Sequence, residues 1–113
     1  MIVLRMELNR RRLRTQVHVC ETQFERARGL LLRRRPASDE AWLIPACRAV
    51  HTVGLWYPLD LAFCTYDGTV LEVVTHLPPW RVAHSAQACE VWEFPQGAAE
   101  SLELQPGDRL TAR

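Results

Sequence analysis

The amino-acid sequence predicts a mainly β fold, a compact barrel or sandwich of roughly seven to eight strands with one or two short helices. Short runs rich in β-branched and aromatic residues recur along the chain, and Gly or Pro separates them. Only two short segments have the apolar spacing of a helix. A chain of 113 residues suffices for one hydrophobic core, so we expect a single domain over residues 1–113.

The first predicted elements are a β-hairpin and a helix. The runs IVLRMEL and LRTQVHVCE are predicted as strands joined by the polar turn NRRR. In the following TQFERARGLLLR, Thr22 is a candidate N-cap, Glu25 completes a capping box, and Pro36 lies beyond the helix end. The apolar positions with helical spacing are Phe24, Ala27, Leu30 and Leu31.

The chain from Ala41 to Pro95 is predicted as strand for most of its length. The candidate runs are AWLIPAC, AVHTV, LDLAFCTY, TVLEVVTHL and ACEVWEF. Asp67-Gly68 between two of these runs indicates a type I′ hairpin turn. After the last run, QGAAESL predicts a helix of one or two turns, and Pro106-Gly107 predicts a tight turn before a final strand.

Arginine is concentrated in the first third of the sequence. Residues 1–35 contain ten Arg and three acidic residues, residues 36–113 contain four Arg and ten acidic residues, and the net charge is +1. One interpretation is that the basic third packs against the acidic remainder. The alternative is a patch for an anionic partner. Its residues would be Arg10, Arg11, Arg12, Arg33, Arg34 and Arg35, and because no aromatic residues interleave them, we expect no nucleic-acid partner.

The four cysteines, Cys20, Cys47, Cys64 and Cys89, lie far apart in the sequence. Structural zinc sites normally use closely spaced cysteine pairs, and the sequence has no CxxC. We therefore predict four free thiols that act as small core residues, with neither a metal ion nor a cofactor.

The candidate catalytic residues are Cys47, His51 and Asp60. Cys47 and His51 would suit a nucleophile and its base, but residues four apart on one strand are about 13 Å from each other. If GLWYP were a hairpin loop, His51 would face Asp60, and the same register would place Cys47 opposite Cys64. The alternative interpretation is a buried Asp60 that accepts backbone N–H bonds and an ordinary, half-buried His51.

A second candidate site consists of aromatic residues in two loops. In LPPWR, the two prolines end a strand and leave Trp80 and Arg81 on a loop, where binding residues are common. If this loop and the loop around Trp56 share one end of the fold, they would form an aromatic-lined cleft with His51 near its floor. The predicted ligand-binding residues are His51, Thr52, Trp56, Tyr57, Trp80 and Arg81.

Several motifs, taken in order, resemble the Domain of Unknown Function 192 family of bacteria and archaea. They are ERARGLLLR, CRAVHT, YPLD followed by a DG turn, LPPWR and EFPQGAAESLELQPGDRL, and they cover about residues 15–113. The resemblance implies a compact β-rich single domain and brings no established biochemical activity. After the HT pair, the family commonly has a methionine and a basic residue where this chain has Leu55 and Trp56.

These observations favour a small binding or accessory module that uses the loops around His51–Pro58 and Pro78–Arg81 for a small ligand or a protein segment. A hydrolase-like or metal-assisted enzyme that uses His51 and Asp60 together with Cys47 is the first alternative, and the arginine-rich adaptor for anionic surfaces is the second. No stretch reaches the ~20 apolar residues of a membrane span, and the N-terminal charge order is the reverse of a secretory signal. We therefore expect a cytoplasmic protein.

Overall fold

The computed structural model describes residues 1–30 and 33–113, and of Phe24 the backbone only. Two predicted helix positions, Leu31 and the side chain of Phe24, thus lie outside the described part. The elements in chain order are β1 (Ile2–Leu8), β2 (Arg11–Val19), α1 (Gln23–Arg28), β3 (Glu40–Pro45), β4 (Ala49–His51), β5 (Leu59–Cys64), β6 (Val70–Leu77), β7 (Val82–His84), β8 (Glu90–Pro95), α2 (Ala98–Ser101) and β9 (Leu110–Ala112).

Seven of the nine described strands form one sheet in the order β6-β5-β8-β3-β2-β1-β9, and β4 and β7 form a separate two-stranded ribbon. The pairs are antiparallel except β2 with β3, which run parallel. The two edge strands approach each other at one corner, where Thr69 bridges Arg109, but the sheet is not closed into a barrel. The prediction of a mainly β fold with two short helices is confirmed, and the arrangement is sandwich-like.

The start of α1 agrees with the sequence, and its end does not. The Glu25 N–H donates to the Thr22 hydroxyl and the Glu25 carboxylate accepts the Thr22 N–H, both at 3.0 Å, which completes the predicted capping box. The helix ends at Arg28 because Gly29 takes a φ of 51°, a left-handed value that glycine adopts without strain. The predicted helix extended too far.

One of the two predicted hairpin turns differs from the prediction. Between β1 and β2, Asn9 and Arg10 both have positive φ, as a type I′ turn requires. At the predicted type I′ site, Asp67 does not have a positive φ, whereas Gly68 has φ 90° and donates its N–H to the Thr65 carbonyl. The type I′ prediction is wrong there, since the loop has the common form of a turn followed by a left-handed glycine.

The central strands are buried on both faces, and every residue of β5 is buried. One core cluster combines β3, β5 and β8 with residues of β1, β2, β9 and α2, including Met6, Trp92 and Phe94. The other cluster covers the opposite face with the segment after α1, the β4–β7 ribbon and the loop before β5, which contribute Leu30, Val50, Leu55 and Tyr57. The sequence of a strand that is buried on both faces is typically a continuous apolar run. The β5 sequence LDLAFC fits this pattern except at Asp60.

The second arginine run packs onto the rest of the domain. Arg34 forms a bidentate pair with Glu40 at 2.7 and 3.0 Å, and Glu40 also lies 2.9 Å from His18 Nε2. The Arg34 hydrogen bonds are the main reason why the pKa of Glu40 falls to about 2. Arg33 and Arg35 instead lie over the rings of Trp42 and Tyr57, respectively. In this run, the contact between basic and acidic residues that the internal interpretation predicts is the one between Arg34 and Glu40.

Candidate functional site

His51 and Asp60 do not form the predicted pair. His51 lies opposite Val82 in the β4–β7 ribbon, whereas Asp60 lies opposite Phe94 in the large sheet. The segment between them is therefore not a hairpin loop but a connection from one sheet to the other. The predicted register, and the catalytic dyad that depended on it, are wrong.

Asp60 has the structural environment of the alternative interpretation. It is almost fully buried, and its Oδ1 accepts the His76 N–H at 2.9 Å. Its Oδ2 accepts the N–H groups of Gly97 and Ala99, each at 3.0 Å, at the start of α2. The carboxylate thus joins the end of β6 to α2, and both of its oxygens are occupied.

The cysteines are neighbours in the backbone, although not in the predicted register. The Cys47 N–H donates to the Cys89 carbonyl at 3.2 Å, and the Cys89 N–H donates to the Cys64 carbonyl at 2.8 Å, so Cys89 lies between the two residues predicted to face each other. All four thiols are free. Cys20 and Cys64 are core residues, with pKa values that burial raises to about 11 and about 12. Cys47 is half-buried and Cys89 is exposed, so the prediction of four core thiols holds for only two of them.

Thr52 brings the two candidate loops together. Its hydroxyl donates to the Pro78 carbonyl at 2.7 Å and accepts the Arg81 N–H at 2.9 Å. Its backbone N–H donates to the Arg81 carbonyl at 2.8 Å, and its carbonyl accepts the Trp80 N–H at 3.0 Å. The side chain is completely buried. Thr52 is therefore a positioning residue that holds the two loops at one end of the molecule.

The predicted aromatic residues have different environments. Trp56, Trp80 and Arg81 are exposed to solvent at this end. Tyr57 is instead a core residue, and its hydroxyl lies 3.3 Å from the Arg34 carbonyl oxygen. Of the six predicted binding residues, His51, Trp56, Trp80 and Arg81 are thus exposed, whereas Thr52 and Tyr57 are buried.

A cleft of about 400 Å³ lies beside the first of these loops. It extends between α1 and the loop that follows β4, and its aliphatic wall includes Ala27, Leu30, Ile44, Val50, Val53 and Leu55. Arg26, Cys47 and His51 also border it. The described lining contains no indole or phenol ring, so this cleft is not the aromatic-lined one that the sequence suggested.

Glu93 of β8 provides the buried polar group of this cleft. It lines the cleft, yet its exposed fraction is only 3%, and its Oε1 has no hydrogen-bond partner among the residues that the structure describes. Desolvation raises the pKa of this carboxyl group to about 7. A Cβ atom at Gly29 would lie 3.3 Å from Oε1, so the glycine leaves the carboxyl group uncovered.

The candidate site residues predicted from the sequence do not include Glu93. A signal for Glu93 was present, because it stands between Trp92 and Phe94 in an otherwise apolar run. In a strand that is buried on both faces, any charged residue becomes a buried charge. This burial depends on the position of β8 inside the sheet, between β5 and β3.

The titratable residues of the cleft do not form a metal site. In the described residues, no group of three or more His, Cys, Asp or Glu side chains is arranged to hold a metal ion. Cys47 donates its thiol hydrogen to the Ala49 carbonyl at 3.1 Å, and burial raises its pKa. This thiol is therefore not activated as a nucleophile.

The described helices are short, and none combines the length and apolar character needed to cross a lipid bilayer.

Comparisons with known proteins agree with the fold. A proposed transcription regulator from Sinorhizobium meliloti 1021 superposes with a TM-score of 0.87 at 25% identity, over 98% of this chain and 94% of that chain. A protein of unknown function from Novosphingobium aromaticivorans DSM 12444 superposes with a TM-score of 0.83 at 21% identity, over 96% of this chain and 84% of that one. No curated protein gives a significant match. The profile of the family described as "Uncharacterized ACR" matches residues 5–112, so the chain belongs to the DUF192 family.

Proposed function

We propose that the protein is a small binding module whose ligand enters the cleft between α1 and β4. The ligand has a compact apolar body and a hydrogen-bond-donating group, such as an amine, at its buried end. The apolar body would contact the aliphatic wall, and the donor would bond to the carboxyl group of Glu93. The volume of about 400 Å³ is within the range of sites that take small molecules.

The observation that carries this proposal is the unpartnered Oε1 of Glu93 among the described residues. A buried acceptor without a hydrogen bond costs about 1–3 kcal/mol, and a ligand that donates to it recovers that cost. Arg26 and His51 also line the cleft, so they provide polar groups for an acceptor of the same ligand.

Within this proposal, the loop that follows β4 contributes Val53 and Leu55 to the wall of the cleft. Thr52 and Tyr57 support the loops from within. Trp56, Trp80 and Arg81 lie outside the described lining of the cleft.

Titration of isotope-labelled protein with phenethylamine, followed by nuclear magnetic resonance, tests the proposal. We expect the largest amide shifts at Gly29, Val50 and Val53, with stronger binding above pH 7 than below it, because Glu93 is ionised there. Ethylbenzene, which has the same ring but no donor, should bind more weakly.

Two glutamine variants provide the control. Glu93→Gln keeps the shape but loses the charge, so phenethylamine should bind about tenfold more weakly or worse. Glu90→Gln changes the same strand on its other face and should have no effect. Shifts that are absent from the cleft, or equal affinities in all three proteins, would refute the proposed site.

A further inference from the structure

We infer that the exposed end of the molecule formed by the β4–β7 ribbon and its two loops docks onto the surface of a bilayer that contains anionic phospholipids. We call this end the ribbon surface; its apolar residues are Val53, Trp56, Trp80 and Val82. The ribbon surface adjoins the cleft at Val53, which lines both, but the inference does not depend on the proposed ligand.

The first observation is the exposure of large apolar side chains. The exposed fractions are 92% for Trp56, 71% for Val82, 65% for Trp80 and 41% for Val53. Trp80 is bonded to Thr52, Val53 follows Thr52 in the chain, and Val82 lies opposite His51. Val53, Trp80 and Val82 therefore lie at neighbouring backbone positions, and Trp56 follows Val53 by three residues in the same loop. Grouped exposed apolar residues mark an interaction surface, whereas scattered ones do not.

The second observation is that the fold holds Trp80 in a strained conformation. Its φ is 64°, a left-handed value that bulky residues rarely adopt. The hydrogen bonds from Trp80 N–H and Arg81 N–H to Thr52 fix this conformation. Thr52 itself is buried, so the strained residue is supported by the interior. Strain that the surrounding structure maintains is typical of functional positions.

The third observation is charge. No Asp or Glu occurs between Glu40 and Asp60 or between Glu72 and Glu90, which are the segments that form the ribbon and its loops. Arg48 and Arg81 are exposed on them, and neither takes part in an ion pair within the described part of the chain. The outward face of the ribbon also carries His51 and His84. The permanent charges on the ribbon and its loops are thus positive, which suits an anionic partner.

The combination of indole rings, aliphatic side chains and isolated arginines matches a bilayer interface. Tryptophan prefers the headgroup region, valine prefers the acyl boundary, and arginine pairs with lipid phosphates. A nucleic-acid surface would need more than two permanent positive charges and has no use for exposed valines. A second copy packed face to face would bring like charges together without a carboxylate to offset them.

Sedimentation of the full chain with phospholipid vesicles tests the inference. We expect binding to vesicles with equal parts phosphatidylcholine and phosphatidylglycerol, little binding to phosphatidylcholine alone, and weaker binding as NaCl increases. Tryptophan emission should shift to shorter wavelength, and brominated lipids should quench it. Trp56→Ala and Trp80→Gly should each weaken binding about tenfold, since each removes one interfacial ring. Glycine suits the φ of Trp80, so the second variant is expected to fold.

The matched control is Tyr66→Ala. Tyr66 is another exposed aromatic residue, but it lies in the turn after β5, at the opposite end of that strand from the loop that contains Trp56. Its removal should not change vesicle binding. Equal binding to both vesicle types, unchanged binding of both tryptophan variants, tighter binding to a single-stranded oligonucleotide than to the vesicles, or a dimer that buries Trp56 would each overturn the inference.

Discussion

Trp42 and Glu93 lie directly opposite each other in the β3–β8 ladder, and each carries a buried polar atom without a partner in the described structure. Trp42 Nε1 is a donor and Glu93 Oε1 is an acceptor, and directly opposite residues of an antiparallel pair project to the same face. The domain thus keeps two uncompensated polar groups of opposite kind close together in its second core.

The first prediction concerns the pH dependence of stability at Glu93. Its pKa is raised from 4.5 to about 7 in the folded protein, so ionisation of Glu93 lowers the free energy of unfolding progressively as pH rises from 4.5 to about 7. Glu93→Gln stays neutral throughout. Urea unfolding should show that this variant is more stable than the wild type above pH 7, by on the order of 3 kcal/mol, with a much smaller gap below pH 4.5. A gap that does not change with pH would mean that Glu93 is not desolvated.

Glu40 should show the opposite pH dependence. Its folded pKa is lowered from 4.5 to about 2, so its stabilising contribution is present above pH 4.5 and is lost as pH falls toward 2. Glu40→Gln should therefore destabilise the protein near neutral pH. We expect a loss of only about 1–3 kcal/mol, because Arg34 is exposed and solvent screens its attraction to Glu40. Urea unfolding of both proteins across the same pH range measures this difference in stability. A variant that loses more stability in acid than at neutral pH would contradict the assignment.

The hydroxyl group of Thr52 should contribute to the stability of the protein. Thr52→Val keeps the shape but leaves the Pro78 carbonyl and the Arg81 N–H without that partner, so we expect a loss of about 1–3 kcal/mol. Thr52→Ser keeps the hydroxyl and should lose less. Thermal unfolding of the two variants provides the comparison. If serine were as destabilising as valine, the methyl group rather than the hydrogen bonds would be responsible.

Trp80→Gly should increase stability or leave it unchanged. The residue is mostly exposed and has a φ of 64°, so the substitution removes little packing and relieves about 1 kcal/mol of backbone strain. Trp80→Ala keeps the strain and serves as the control in the same denaturation experiment. A large loss with glycine alone would show that the indole ring packs more than its exposure indicates.

A side chain at Gly68 should destabilise the protein, because Gly68 lies at the corner where the two sheet edges approach each other. A Cβ there would overlap the carbonyl oxygen of Leu110, whereas a Cβ at Gly107, which has a similar positive φ, meets nothing within 4 Å. Both alanine variants incur the cost of an unfavourable φ, but only Gly68→Ala must also move β9. We expect Gly68→Ala to be more destabilising by roughly 1–3 kcal/mol in chemical denaturation. Equal effects would show that the corner is easily opened.

Local signals in the sequence predicted local structure well. The Thr22 and Glu25 capping box, the first hairpin and the apolar run of β5 depend on residues near one another in the chain, and the structure contains all three. The family resemblance was also confirmed, since its motifs occur in order along the chain. The alternative interpretation of Asp60 held because a carboxylate in an apolar strand needs backbone donors.

The pairing of the strands could not be predicted from local sequence signals. VAH is too short to be recognised as a strand, so β4 had no visible partner, and His51 was assigned to face Asp60 instead of Val82. The parallel pairing of β2 with β3 joins residues on either side of α1, and no local pattern specifies it. The burial of Glu93 follows from the position of β8 in the sheet order, which is a property of the whole chain.

The ladder between β1 and β9 has a consequence for how the protein folds. It joins Met6 to Ala112 and Leu8 to Leu110, so it closes a loop that contains nearly the entire polypeptide. The entropy of closing such a loop must be lost before its hydrogen bonds form, and folding slows as contacts become more distant in sequence. We therefore expect the local hairpins to form early and the pairing of β1 with β9 to form last and to limit the folding rate.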